Sequence, residues 1–222
     1  MKTFYKFIVS LTMILIFDGC GNAFVLSSDE GFVSLFNGID LDGWTGNKQT
    51  YRVEDGIIVV DPQGGGSGGK LLTDKEYSNF ILKFDFKLTA GANNGLGIHA
   101  PLKGDAAYLG KEIQILDNTA AKYSDLKPYQ YHGSVYGIIP AKRGYLNPVG
   151  DWNEQIVVVK GNTVKVILNG TAIVDGNLKK ESKKGTMDKR EHPGLDKTTG
   201  HLGFLGHGDV VYFRNIRIKE LF

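Results

Sequence analysis

The longest run of strict alternation in the chain covers residues 80–88, where Phe80, Leu82, Phe84, Phe86 and Leu88 share one parity and Lys83, Asp85 and Lys87 the other. Successive side chains of a strand point to opposite faces, so this pattern predicts a half-buried strand with its even positions in a core. The same period of two recurs in three further stretches. Leu96 and Ile98 alternate with Gly95, Gly97 and His99; Ile113 and Ile115 alternate with Glu112 and Gln114; Leu202 and Phe204 alternate with His201, Gly203, Leu205 and His207. Turn dipeptides punctuate the rest. Asp55-Gly56 joins residues 51–53 to 57–60, while Gly161-Asn162 and Asn169-Gly170 link residues 155–160, 163–168 and 171–174 into a three-stranded meander. Helical periodicity is missing over any ten residues, although residues 74–79 and 120–126 each fit a turn or two. About a dozen short strands separated by turns predict an all-β domain, a two-sheet sandwich.

The polar faces of these strands carry the candidate chemistry. Glu112 and Gln114 stand together opposite the two isoleucines. Glycines at 95 and 97 leave the outer face of their strand bare, and one reason to keep glycine inside a strand is that a ligand approaches the backbone closely. His132, Ser134 and Tyr136 share a parity against Val135, and His201, Gly203, Leu205 and His207 share another. Four segments thus present a polar or glycine-rich face that reads as one shared surface. Trp44 and Trp152 could stack on sugar rings, but their Gly-Asp and Asp-Gly neighbours suit anchoring of core edges better. Residues 64–69 are a glycine-rich surface loop, lacking the Gly-Lys-Ser/Thr ending and the following helix of a phosphate cradle.

Composition narrows the class. The 222 residues carry a formal charge of only +2 and 30 glycines, a usage that suits many turns, and no basic block interleaved with aromatics, which argues against a nucleic-acid partner. The run at residues 179–184 mixes lysines with Glu181 and Ser182 and reads as a solvated loop. At the N-terminus, Lys2 and Lys6 precede an apolar run at residues 7–17, too short to span a membrane and placed as a secretion signal. Cys20, the single cysteine, follows directly after Phe17-Asp18-Gly19, a position that suits lipidation of the mature first residue; the competing reading is cleavage after Gly21-Asn22-Ala23. The expected organisation is a signal peptide at 1–20, a linker at 21–30 and one β-domain at 31–222. The expected location is periplasmic or at the cell surface, as a bacterial lipoprotein whose membrane contact is its lipid anchor alone.

The ordered set Phe36-Asn37-Gly38, Gly43-Trp44, Glu112-Ile113-Gln114-Ile115-Leu116-Asp117-Asn118, Gly133-Ser134-Val135-Tyr136, Gly150-Asp151-Trp152-Asn153, Leu168-Asn169-Gly170 and Phe213-Arg214-Asn215-Ile216-Arg217-Ile218-Lys219 resembles the DUF1080 family, also called the 3-keto-disaccharide hydrolase domain. The resemblance runs from about residue 31 to the C-terminus. It implies a concanavalin A-like jelly roll, a carbohydrate or glycoside ligand and, for some members, cleavage of glycosides already oxidised at C3.

A carbonyl at C3 acidifies the hydrogen on C2, so a base can remove that proton, the C1 oxygen can leave by elimination, and added water completes a net hydrolysis. Such a path needs a base, a group that stabilises the enolate and an acid for the leaving group. A retaining glycosidase instead needs two carboxylates about 5–5.5 Å apart, whereas the alternate positions here read Glu112, Gln114 and Leu116. The catalytic candidates are therefore Glu112, His132 and His207, which could also hold a divalent metal against the ketone. Candidate substrate contacts are Gln114, His99, Asp117, Tyr136 and Arg214. Two other classes fit the same sequence: a carbohydrate-binding domain without turnover, and a structural or adhesion domain with no polar pocket.

Overall fold

The structure is a computed structural model that describes residues 14–17, 23–26, 30–61 and 68–222. It separates into two units, residues 1–32 and 33–222. In the first, the backbones of β1 (Ile14–Phe17) and β2 (Ala23–Leu26) pair antiparallel with Ile14 opposite Leu26. Cys20 and most of the expected signal segment and linker lie outside the described residues, as do residues 62–67 of the glycine-rich loop.

The second unit is an antiparallel two-sheet sandwich. One sheet has five strands in the order β10 (Lys111–Leu116), β9 (Asn93–Ala100), β14 (His201–Gly206), β7 (Gly69–Thr73) and β4 (Trp44–Gly46). The other has eight: β13 (Thr171–Asn177), β12 (Thr163–Leu168), β11 (Trp152–Lys160), β8 (Phe80–Leu88), β15 (Val211–Glu220), β6 (Ile57–Val60) and β5 (Tyr51–Glu54), with β3 (Val33–Ser34) paired to β15. The expected turns form where the dipeptides stand. Asp55 and Gly56 both take positive φ, 48° and 76°, as do Asn169 and Gly170, 48° and 81°, the requirement of a two-residue hairpin turn whose twist matches its strands.

The core lies between the sheets and is built by the parities read from the sequence. Phe80, Leu82, Phe84, Phe86 and Leu88 are all buried. The centre is an aromatic stack across the sandwich, with the rings of Phe204 in β14 and Phe213 in β15 3.6 Å apart at 14° and Phe84 edge-on to Phe204 at 5.8 Å. Each such ring contributes about 1.5–3 kcal/mol by its burial. Trp44 joins the same cluster over Phe204 and donates its indole N–H to Leu35 O at 2.8 Å, so it anchors a core edge rather than offering itself to a sugar.

Among the described residues helix is confined to single turns. α1 (Ala106–Leu109) is capped by the Asp105 carboxylate, which accepts from Ala107 N, and α2 (Leu178–Glu181) by the Asn177 side chain, which accepts from Lys180 N. One turn of 3₁₀ helix forms at Ala121–Tyr123, inside the stretch that fits it, whereas residues 74–79 form bends and a bridge. The basic run expected as a loop begins with α2 instead. The outer face of the five-stranded sheet carries a small apolar cluster of Leu72, Ala100, Ala106 and Leu205, on which α1 sits. This is the face that positions the site.

Candidate functional site

β9 and β10 pair so that Glu112 faces Gly97 and Gln114 faces Gly95, and both polar side chains stand on the outer face of the sheet. The glycines there have a specific cause. A Cβ on Gly95 would lie 1.9 Å from Glu112 Oε1 and 2.7 Å from its Cδ, so the carboxylate lies directly on the bare backbone of the neighbouring strand. The glycine-rich strand is thus a floor for a protein side chain. Glu112 is only 5 % exposed there, and its Oε1 has no hydrogen-bond donor. Its nearest cation is the half-exposed His207, whose Nε2 is 3.7 Å from Oε1, an ion-pair distance longer than a hydrogen bond. The Glu112 carboxylate raises the imidazolium of His207 above its ordinary pKa, outweighing partial burial. A buried carboxylate oxygen without a donor is an acceptor open to a ligand.

This pair opens into a cavity of about 280 Å³ walled by Gln114, Asn93, Tyr108, Tyr136 and Arg190. Gln114 donates to Asn93 Oδ1 at 2.9 Å, which fixes both amides. Tyr136 arrives from the segment that runs along the edge of β10, where Gln114 N donates to Ser134 O and Tyr136 N to Glu112 O. Tyr108 comes from α1 and Arg190 from the loop after α2. Arg190 Nη1 donates to Tyr108 Oη at 2.6 Å and its guanidinium lies 4.2 Å from the ring centre. Behind them His192 Nε2 lies 3.0 Å from Asp188 Oδ2, and Tyr108 Oη donates to the same oxygen at 3.3 Å. Burial, with Asp188 adding to it, pushes the Tyr108 phenol up to about 12, so it stays protonated and able to donate. Asp188 resists its own burial through hydrogen bonds from Arg190 N and His192, which hold its carboxyl below the usual range.

Of the expected site residues, Glu112, His207, Gln114 and Tyr136 therefore meet in one cavity. Four others do not. His132 is buried between the sheets, stacked on Phe86 at 4.9 Å, and accepts from Leu116 N at 3.3 Å through Nδ1. No strand forms at its position: Gly133, with φ of 80°, turns the chain, so the parity shared with Tyr136 does not hold. Burial pushes this imidazole down to about 3, which keeps it neutral. His99 leaves the outer face because β9 slips register against β14 here and its own φ is 49°. Its Nε2 lies 2.8 Å from Ser78 O, and its Nδ1 lies 3.0 Å from Lys197 O and 3.1 Å from Lys111 Nζ, so the ring is held by two backbone carbonyls and the lysine. Lys111 also donates to Lys197 O, and burial lowers its pKa to about 8. His99 thus ties a loop down.

Asp117 likewise closes a turn. Its burial is opposed by donors from Thr119 and from Gly91 N, the latter at 2.7 Å, which leave its carboxyl below the ordinary range. Arg214 sits on the outer face of the opposite sheet, 3.1 Å from Asp85 and 3.9 Å over the Trp152 ring. With His132 on the far side of β10, the expected metal set is not assembled, and among the described residues no three His, Cys, Asp or Glu side chains group as a metal site does.

Tyr108, Arg190 and Asn93 were not expected. They arise from a one-turn helix, a long loop and a strand end, none of which carries a period. The charged string Arg190-Glu191-His192 in that loop was the available signal.

The chain belongs to the 3-keto-alpha-glucoside-1,2-lyase-like domain family, whose model matches residues 31–219. It is 27% identical over 231 residues to a 3-keto-disaccharide hydrolase of Bacteroides thetaiotaomicron, covering 86% of this chain and 79% of that one. Among solved structures, a candidate glycosyl hydrolase from Parabacteroides distasonis is 31% identical, with a TM-score of 0.75 over 87% of this chain and 95% of the other. A carbohydrate-binding module from Bacillus subtilis, 14% identical with a TM-score of 0.51 over 80% of this chain and 96% of the module, shares the fold alone. These likenesses and the two antiparallel sheets agree with the expected sandwich.

Proposed function

We propose that the protein cleaves 3-keto-glycosides, disaccharides among them, by proton abstraction at C2 followed by elimination and hydration. The observation that carries this reading is the single buried Glu112 carboxylate, laid on Gly95, lacking a donor at Oε1 and paired at 3.7 Å with a histidine that stays protonated above its ordinary range. A base and an acid meet there, and Asp209, which also acts on His207, is engaged by Asn93 N. Asp105, the other carboxylate at the cavity, is engaged as the cap of α1.

Glu112 takes the C2 proton, and the electrons of that bond move toward the C3 carbonyl. The oxygen that becomes anionic meets donors of the cavity wall, Arg190 and Tyr136, which act by electrostatic stabilisation in a partly enclosed site. As the C1–O bond breaks, the His207 imidazolium gives its proton to the departing alkoxide. Water then adds at C1 of the enone and gives its proton to His207, Glu112 protonates C2 after its own proton has exchanged with solvent, and the products are a free 3-keto sugar and an alcohol. The ketone supplies the acidity that a paired-carboxylate glycosidase must create by other means.

The same reading places the protein outside the cytoplasm with a lipid on Cys20, supported by the charged and apolar N-terminal pattern. Incubation of the purified protein with a 3-keto-disaccharide in deuterated water tests the chemistry: 3-keto sugar carrying deuterium at C2 is expected, with no product from the unoxidised disaccharide. Binding of the keto sugar without product would favour a carbohydrate-binding domain instead.

A further inference from the structure

Glu112 and His207 wall not one cavity but two. They also border a second hollow of about 210 Å³, among whose other walls are Gly69, Lys70, Asp105, Ala106, Leu205 and Gly206. Its free surface is chiefly apolar, because Lys70 and Asp105 turn their polar atoms to the backbone of Leu102, Gly104 and Ala107. Leu205 and Ala106 belong to the apolar cluster on the outer face of the sheet, and the two glycines present backbone with no side chain to fill the space. The hollow is also preformed. Lys70 Nζ donates to Leu102 O at 3.0 Å and Gly104 O at 2.8 Å, fastening the loop that leads into α1, and the Asp105 cap fixes the start of that helix as a wall.

A glycosidic bond broken between a base and an acid has a sugar on one side and a leaving group on the other. The amides, phenols and guanidinium of the first cavity suit a hydroxylated keto sugar; the second hollow offers few partners to hydroxyl groups, and burying unpaired hydroxyls there would be costly. Its volume equals that of about seven waters of liquid, the scale of one six-membered ring. We infer that this hollow is the leaving-group subsite and that it selects 3-keto-glycosides with a compact apolar aglycone, a benzyl-type or alkyl alcohol, over those whose leaving group is a second sugar. The inference rests on the function proposed above.

The test uses three 3-keto-glucosides of one anomeric form with benzyl, methyl and glucosyl leaving groups; the benzyl and methyl alkoxides are of similar basicity and the glucosyl alkoxide is the weaker base, so bond-breaking chemistry alone does not favour the benzyl compound. The benzyl compound is expected to show kcat/KM at least tenfold above the other two, and Leu205→Asn to cut the benzyl-to-methyl ratio below threefold. Should Leu205→Asn fail to fold, wild-type inhibition decides: benzyl alcohol is expected to inhibit cleavage of the methyl compound with an inhibition constant at least tenfold below that of glucose. Turnover of all three with equal kcat/KM, or equal inhibition by the two alcohols, overturns the subsite and leaves the proposed function standing. Turnover of none removes the function and the subsite with it.

Discussion

Replacing Gly95 by alanine places a methyl group where the Glu112 carboxylate now lies. The added carbon would stand 1.9 Å from Oε1 and 2.8 Å from Cγ, against an ordinary contact of 3.4 Å or more, so the carboxylate must retreat by roughly 1.5 Å. The backbone can accept the change, because Gly95 is not among the residues with positive φ. The obstacle is a side chain able to move, so folding should survive while the site does not. A displacement of about 1 Å in a reacting group typically costs about 100-fold in rate, which corresponds to about 2.7 kcal/mol of transition-state stabilisation. The expected result for Gly95→Ala is therefore a kcat on a 3-keto-glycoside reduced about 100-fold, with the melting temperature within a few degrees of wild type and the far-ultraviolet circular dichroism unchanged. Full turnover by a folded Gly95→Ala protein would refute the reasoning that Gly95 exists to seat Glu112.

Three further outcomes follow from the same geometry. Because Glu112 raises the pKa of His207, the acid form persists above pH 6.5 and kcat/KM should decline only at higher pH; His207→Gln should abolish that alkaline limb, and an unchanged limb would remove His207 as the acid. His132 is held neutral in the core while the unfolded chain protonates it below about pH 6.5, so stability is present above that pH and is lost on acidification, by about 2 kcal/mol between pH 7 and pH 5. His132→Asn, which keeps an acceptor near Leu116 N, should flatten that dependence in urea titrations, and an equally steep loss would show that other groups cause it. Arg214→Ala removes a partly exposed ion pair on the far sheet, and should change stability by no more than about 1 kcal/mol and leave kcat and KM unaltered; a tenfold fall in kcat/KM would return Arg214 to the site.

Period-two alternation made much of the fold legible, because one face of each long strand is buried and a slip of one residue would expose it. It placed Phe80 to Leu88, the isoleucines of β10 and the Leu202–Phe204 pair on the core side, and the hairpin dipeptides set the local pairing. The same logic brought Glu112, Gln114 and His207 to one face. It failed where the backbone departs from a regular strand. A register slip and a positive φ at His99, and a turn at Gly133 beside His132, each rotate a side chain away from its parity. Arg214 lies on an outer face, but alternation does not say which of two outer faces a strand presents. Tyr108 and Arg190 escaped because α1 is four residues long and the loop after α2 has no repeat to read. The purpose of Gly95 was half legible: close approach was expected, yet of a ligand rather than of Glu112 itself.

The most direct test of the account is Glu112→Gln, which keeps the shape of the side chain over Gly95 and removes its basicity. Single-turnover measurement on a 3-keto-glycoside should show cleavage slowed by about 10²–10⁴-fold, with C2 deuterium incorporation lost in parallel and the melting temperature preserved. Unchanged turnover by a folded Glu112→Gln protein would contradict the assignment of Glu112 as the base.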